Sequence, residues 1–501
     1  MAVFQVFFAK CWRYMQMVSV EPIGLLAFLA FVLQSTVSPR AEAAKMIKVY
    51  AKMTDGEHVR SDIVQTKITE WNMYGYAANV PIAMIATIAL GALGDRHGRQ
   101  INIILGLLSL LWRLLIGQLV YTNALDVPLW VNVLGSILTA FFGDYYIAYV
   151  SSQAFLADTI PDKVLLTIRL NIVNVCRQLG LILGSTMTGQ IGESLGFARM
   201  ILIAIVSACV ALIYTWLRIP QIPPKLLAKR QRRMTLQSTK NIDDTTELEE
   251  ENSGPPVGSS LSKGLGKVKS LFTETWTTFS KKREGRRRFY IISIAVLQFI
   301  ASMSSSEAFK LVAVYTLRPR SEGGLDWGPT ELGDWSATGI SLGLIGSFGG
   351  IMLFKKVLHF RDTTIVVIGL ISQMLNVVPI ALATETWHMY ISSVLGMFYG
   401  VISPTLSSFT ASLVPLSEVG KVYTAFAMTG FVASLMQMFV LQELYLVSLH
   451  DMHYPAFMWW FVAFLTFLCV INMIVIHVLS KREGVGEHLS ALNAEDKRQS
   501  D

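Results

Sequence analysis

The chain has 501 residues, 52% of them apolar and only 15% charged, with a formal net charge of +7 and a mean hydropathy of +0.48. So little charge spread over such long apolar runs excludes an ordinary soluble globular protein. The basic excess sits between apolar runs rather than on one folded surface, so it reads as a topology determinant and not as a nucleic-acid footprint.

Residues 1–19 carry Lys10 and Arg13 ahead of a first apolar run at 20–37. A secretory signal has that charge order, but this run is long for a signal core and opens with Glu21-Pro22, so it reads as a retained span. Residues 38–70 read as a polar loop holding both signs of charge. Further runs lie near 71–92, 101–121, 128–156, 166–191 and 196–219, each with the roughly 20 residues that a bilayer crossing needs. Between the second and third lies GALGDRHGRQ, Gly91 to Gln100. Its charges must lie outside the hydrocarbon. Gly91 would allow close backbone contact, and Gly98 a turn with φ > 0. The spacing Gly91, Asp95, Arg96, Gly98, Arg99 resembles the loop signature of the major facilitator superfamily. That resemblance implies a cytoplasmic gate motif in which Asp95 faces a helix N-terminus and Arg99 pairs with nearby acidic groups.

Residues 220–287 differ in kind. Pro220, Pro223 and Pro224 open the segment, an acidic DDTTELEEE follows at 243–251, and KKREGRRR closes it at 281–288. Blocks of like charge and low apolar content predict a largely disordered cytoplasmic loop with a short surface helix at 265–280. Six more apolar runs lie near 289–316, 331–354, 363–384, 387–413, 420–447 and 454–480. The expected fold class is an all-α integral membrane protein, with 12 transmembrane helices in two six-helix bundles. The expected domains are an N-terminal bundle at 1–219, the central loop at 220–287, a C-terminal bundle at 288–480 and a cytoplasmic tail at 481–501. With both termini cytoplasmic, thirty Lys and Arg fall on that side and nine on the other. Leaving out the central loop and the loop at 38–70, the margin is fourteen against three, which keeps the orientation. No sorting signal separates the plasma membrane from an endolysosomal one.

Ionisable residues inside spans mark function, because each is costly in hydrocarbon unless it meets a wet cavity or a partner. Those here are Arg113, Asp144, Arg177, Glu307, Lys310 and Glu443. Asp144 sits mid-run in the fourth span and Arg177 near the middle of the fifth. Asn171, Asn174 and Gln178 form a polar stripe beside Arg177. Glu307 and Lys310 are an i, i+3 pair, either functional or a structural salt bridge. Arg113 either snorkels or pairs with Asp144. Gly339, Gly343, Gly346 and Gly350 lie at three- and four-residue spacing on the eighth span and read as helix packing. GIMLFKKVLHFRD, from Gly350 to Asp362, is a degenerate second copy of the Gly91–Gln100 hairpin. Cys11, Cys176, Cys209 and Cys469 give neither a disulfide framework nor a zinc spacing. No nucleophile or metal constellation is present, so the expectation is a transporter rather than an enzyme, with no cofactor or metal and the proton as coupling ion.

A narrower resemblance rests on three segments. VEPIGLLAFLAFVLQ at 20–34, FFGDYYIAYVSSQAFLAD at 141–158 and GVISPTLSSFTASLVP at 400–415 are similar to the first, fourth and tenth helices of the proton-coupled folate transporter family, solute carrier family 46. The resemblance implies that Asp144 serves proton coupling and that Asp158 partners Arg96 or Arg99. It also marks departures. Asn174 stands where folate-carrying members have a glutamate, and Ser407 where they have an arginine. The expectation is a proton-coupled symporter for an amphipathic organic anion of a folate-like class, with those two departures weighing against folate itself. Its substrate and proton pathway would involve Asp144, Asn171, Asn174, Arg177, Glu307, Lys310 and Ser407. The expected partners are a small-molecule solute and the lipid bilayer, with no nucleic acid, and the chain acting as a monomer. A solute/proton antiporter and a non-transporting receptor or scaffold are the two alternatives.

Overall fold

A computed structural model of the protein describes residues 19–51, 61–122, 127–160, 163–221, 279–280, 283, 285–414 and 416–484. Those residues are helical almost throughout. In the first part of the chain the helices are α1 (Glu21–Ala51), α2 (Ser61–His97), α3 (Arg99–Tyr121), α4 (Trp130–Phe141), α5 (Tyr146–Thr159) and α6 (Lys163–Arg218). The later part holds α7 (Arg287–Thr316), α8 (Pro329–Ile351), α9 (Asp362–Ala381), α10 (Thr386–Leu395), α11 (Ile402–Leu413), α12 (Leu416–His450) and α13 (Phe457–Arg482). A π-helical turn, Met352–Val357, extends α8.

Large apolar side chains lie on the outside as well as inside. Trp216, Leu217, Val357 and Phe141 are all exposed, Leu217 to 71%. Water would penalise such a surface, whereas hydrocarbon matches it, and intrahelical bonding leaves no backbone group unsatisfied there. Among the described residues, nine stretches are long and apolar enough to cross a membrane. One of them, Arg169–Arg218, runs for 50 residues, about 75 Å at 1.5 Å per residue and over twice a hydrocarbon core. Gly196, with φ 70° and ψ 172°, breaks the helix within it.

Three differences from the sequence reading have physical causes. The polar loop expected at 38–70 is mostly helix, because α1 runs on to Ala51 and α2 starts at Ser61. The Ala, Glu, Lys and Met residues after Pro39 are good helix formers, so helix outlasts hydrophobicity there. The run at 128–156 is two helices, parted at Phe142–Tyr145, where Gly143 (φ 78°) and Asp144 (φ 59°) both adopt left-handed backbone. Its counterpart at 387–413 is likewise parted, between α10 and α11, at Gly396–Val401. The central loop and its surface helix lie almost wholly outside the described residues, as do residues 1–18 and 485–501.

The described residues fall into two compact units. One lies within Met1–Gln34, Gly75–Gly184 and Phe197–Val268, the other within Ser35–Tyr74, Ser185–Gly196 and Lys269–Asp501. The helical extension after Gln34 and the turn region before Phe197 fall in the second unit. In the first unit α3 crosses α5 closely at Gly106, where an added Cβ would lie 2.6 Å from the Ala148 nitrogen. α1 meets α6 the same way, at Gly180 against Leu25 and Gly184 against Val32. The second unit is built on an apolar core of Tyr290, Ile294, Leu370, Phe409 and Met473. There the glycines of α8 admit the segment after α10, with Gly343 against Tyr399 and Gly350 against Phe398, as small residues do when helix backbones approach.

Candidate functional site

The break between α4 and α5 shapes the site in the first unit. Asp144 is not a mid-helix residue: at φ 59° it occupies backbone that Asp and Asn tolerate better than most side chains. Its Oδ1 accepts a hydrogen bond from the Tyr145 N–H at 2.6 Å, and its own N–H donates to the Thr139 carbonyl. The turn also swings Tyr145 against α1. Tyr145 stacks on Phe31 with centroids 4.5 Å apart and meets Phe28 edge-on at 5.9 Å. Phe28 in turn meets Tyr149 edge-on at 5.5 Å.

Two guanidinium groups cap this aromatic cluster. Arg113 of α3 lies over Phe31 at 5.9 Å. Arg177 of α6 lies over Phe28 at 5.3 Å and Tyr149 at 5.7 Å. Each such contact contributes on the order of 0.5–2 kcal/mol according to how dry it is. Arg177 Nε and Nη2 both donate to Asn174 Oδ1, at 3.2 and 3.1 Å, and the Tyr149 hydroxyl reaches the same oxygen at 3.4 Å. Among the described residues neither arginine is paired with a carboxylate, and Arg113 does not bridge to Asp144. The cluster is thus a net-positive, aromatic-walled surface with Asp144 beside Tyr145.

The other sequence candidates are placed as follows. Asn171 is exposed on the same helix, and among the described residues it makes no hydrogen bond to Asn174 or Arg177. Ser407 is exposed on α11. Glu307 and Lys310 lie on α7, but their side chains fall outside the described residues, as do those of Asp95 and Arg96. The described part of the hairpin is well connected. Gly98 has φ 110° and caps α3. Arg99 Nε meets Asp158 Oδ2 at 2.8 Å, tying the start of α3 to the end of α5. The Asn102 Nδ2 group donates to the Leu90 carbonyl. Among the described residues nothing lies within 4 Å of a Cβ built on Gly91, whereas one on Gly94 would meet Asn102. In the degenerate copy, Lys355 Nζ pairs with Asp362 Oδ1 at 2.9 Å.

Sequence reasoning missed the aromatic walls, although Phe28 and Phe31, at i, i+3, and Tyr145 and Tyr149 share helix-face spacings that could have suggested them. It also missed the pair between Glu21 Oε1 and Arg169 Nη2, at 2.7 Å with both side chains largely buried. That pair ties the starts of α1 and α6 together.

The family model described as Major Facilitator Superfamily matches residues 65–438, about three-quarters of the chain. The chain belongs to the Major Facilitator Superfamily. Its helices agree with that membership: the chain matches a solved peptide transporter POT, in complex with sulfate, with a TM-score of 0.58 at 11% identity, covering 92% of this chain and 94% of that one. Such a likeness speaks to the fold alone. Among curated proteins of the superfamily, the chain is 25% identical over 435 residues to the human lysosomal proton-coupled steroid conjugate and bile acid symporter SLC46A3, covering 85% of this chain and 84% of that protein. It is 23% identical over 446 residues to the probable peptidoglycan muropeptide transporter SLC46 of Drosophila melanogaster, covering 83% and 76%. The proton-coupled folate transporter of Bos taurus is 22% identical over 394 residues, covering 78% and 75%. As a major facilitator the chain is a multi-pass membrane protein and a secondary active transporter of small solutes, not an enzyme.

Proposed function

We propose that the chain is a proton-coupled symporter for an amphipathic organic anion, with Asp144 on the proton path and the Arg113–Arg177 aromatic cluster receiving the anion. One observation carries this reading: two guanidiniums without carboxylate partners among the described residues cap a wall of Phe28, Phe31, Tyr145 and Tyr149. A flat ring system can stack on such a wall while its acidic group meets the guanidiniums. The names of the relatives fit. Bile acids, folates and muropeptides all join an acidic group to a ring system, and two of the three relatives are named as proton-coupled. Asn174 supports an anionic solute, because a neutral amide there leaves the charge of Arg177 uncompensated.

The proposal includes twelve crossings with both termini cytoplasmic, the 50-residue stretch supplying two of them. It places the chain in the plasma membrane or an endolysosomal membrane, acting as a monomer without a cofactor. The residues whose side chains fall outside the described set, Glu307, Lys310, Asp95 and Arg96, keep their proposed parts in the pathway and the gate, as do Asn171 and Ser407. The test is uptake of a labelled bile acid, a steroid sulfate and folate into proteoliposomes at external pH of about 5.5 and about 7.5, a range over which buried carboxyls titrate. Acid-stimulated uptake of a sterol-type anion is expected, with little folate. Solute exchange that expels protons would instead establish the antiporter. Absence of transport of every anion at both pH values would leave the receptor reading.

A further inference from the structure

The second unit contains a cavity of about 190 Å³ between α7, α8, α9, α13 and the segment that follows α10. It shares no residue with the arginine-capped cluster of the first unit. Among the described residues, no carboxylate, ammonium, guanidinium or imidazole lines it. Its walls are instead aromatic and aliphatic, from Trp335, Trp459, Val312, Ile340 and Ile380, with a few neutral polar groups between them.

Those polar groups are unevenly satisfied. Trp335 is fixed, because its Nε1–H donates to the Met389 carbonyl at 2.8 Å. Trp459 is not: it is only 1% exposed, yet among the described residues its Nε1–H has no hydrogen-bond partner. A buried donor left open in the wall of a cavity can be satisfied by what occupies that cavity. Asn376, another lining residue, donates Nδ2 to the Ser392 carbonyl at 2.8 Å, and among the described residues nothing donates to its Oδ1. Gln373 makes no hydrogen bond among the described residues and can supply both a donor and an acceptor. Water can meet the few polar groups, but it leaves the aromatic and aliphatic walls uncovered, which an apolar ring would cover. An apolar cavity of about 150 Å³ suffices for one benzene ring, so this space matches one six-membered ring with a substituent.

We propose that this cavity binds an uncharged, ring-sized molecule that carries at least one acceptor oxygen. The Trp459 N–H donates to that oxygen, Gln373 and Asn376 read a further hydroxyl, and the indoles of Trp335 and Trp459 flank the ring. This goes beyond the anion reading, since the site selects against the charge that the first unit favours. The chemistry could come from a sugar ring or from the hydroxyl-bearing ring of an apolar alcohol.

Photolabelling of the full-length protein in nanodiscs distinguishes these sources, with a trifluoromethyl-diazirinyl benzyl alcohol as the probe and peptide mapping by mass spectrometry. Label is expected on the peptides holding Trp335, Gln373 or Trp459. Methyl β-D-glucopyranoside or cyclohexanol should protect against it, whichever of the two protects identifying the source, while cyclohexanecarboxylate should not. Trp459→Phe keeps an aromatic wall but removes the donor, and should cut labelling about fivefold, the scale of one lost hydrogen bond. Gly339→Phe fills the space, as a Cβ there already lies 3.3 Å from Ser393 Oγ, and should abolish it. Label spread over lipid-facing helix surfaces with no protection by either alcohol would overturn the proposal. So would equal protection by the carboxylate, or unchanged labelling of Trp459→Phe. The Trp459→Phe substitution retains most of the ring volume, so the result is readable even where Gly339→Phe fails to fold.

Discussion

Asp144 occupies left-handed backbone at φ 59° and accepts the next residue's N–H on Oδ1. Asparagine tolerates that backbone and offers the same acceptor, so Asp144→Asn separates proton chemistry from turn geometry. The variant is expected to keep its thermal stability within about 0.5 kcal/mol of the parent while losing the acid stimulation of uptake. Asp144→Val should fail differently, by misfolding, because a branched side chain strains at that φ. Arg177 gives a second test at this scale. Asn174→Asp places a carboxylate within reach of its guanidinium, forms an ion pair and neutralises the cluster. Anion uptake should then fall roughly tenfold, the cost of one lost charge-assisted contact, with expression unchanged; unaltered uptake would remove Arg177 from the anion site. Arg177 and Asn174 were readable from sequence because polar residues stand out against an apolar helix. The aromatic walls were not, since Phe and Tyr in a span look like lipid-facing residues until a fold sets them against a cation.

At the scale of elements, an ion pair with an unusual arrangement ties the hairpin between α2 and α3 to α5. Arg99 sits at the start of α3 and Asp158 in the last turn of α5, so each charge opposes its own helix dipole. Together they cancel; alone, each is disfavoured twice over. The charge-swapped double variant Arg99→Asp/Asp158→Arg should therefore melt above either single variant, and at or above the parent, as seen by thermal unfolding in detergent. A double variant no more stable than the singles would show that the pair does not set this junction. Close packing makes a second expectation here. Gly106→Leu would drive a side chain into the Ala148 backbone and should cost about 1–3 kcal/mol by overpacking. The sequence signalled the hairpin through Gly98 and its charges. It could not signal the helix beyond residue 37, because hydrophobicity there stops while helix propensity continues. Nor could it show the break at Phe142–Tyr145, where one Gly-Asp pair interrupts an otherwise unbroken apolar run.

For the whole molecule, composition alone pointed to a membrane protein, and the superfamily match and exposed apolar surface agree with it. The fold class was readable because apolar run length is a strong signal; the helix-by-helix course was less so. The stretch Arg169–Arg218 holds two apolar runs that Gly196 parts, with φ 70° and ψ 172°, in keeping with the separate runs read at 166–191 and 196–219. Coupling is a property of the whole chain, and it is measured most directly as solute-evoked proton entry. Proteoliposomes containing a trapped pH indicator, held without a pre-set pH gradient, are given a steroid sulfate or bile acid outside. Proposed symport requires internal acidification that follows solute entry, is saturable, and disappears in Asp144→Asn. Solute entry at full rate with no internal acidification would contradict it.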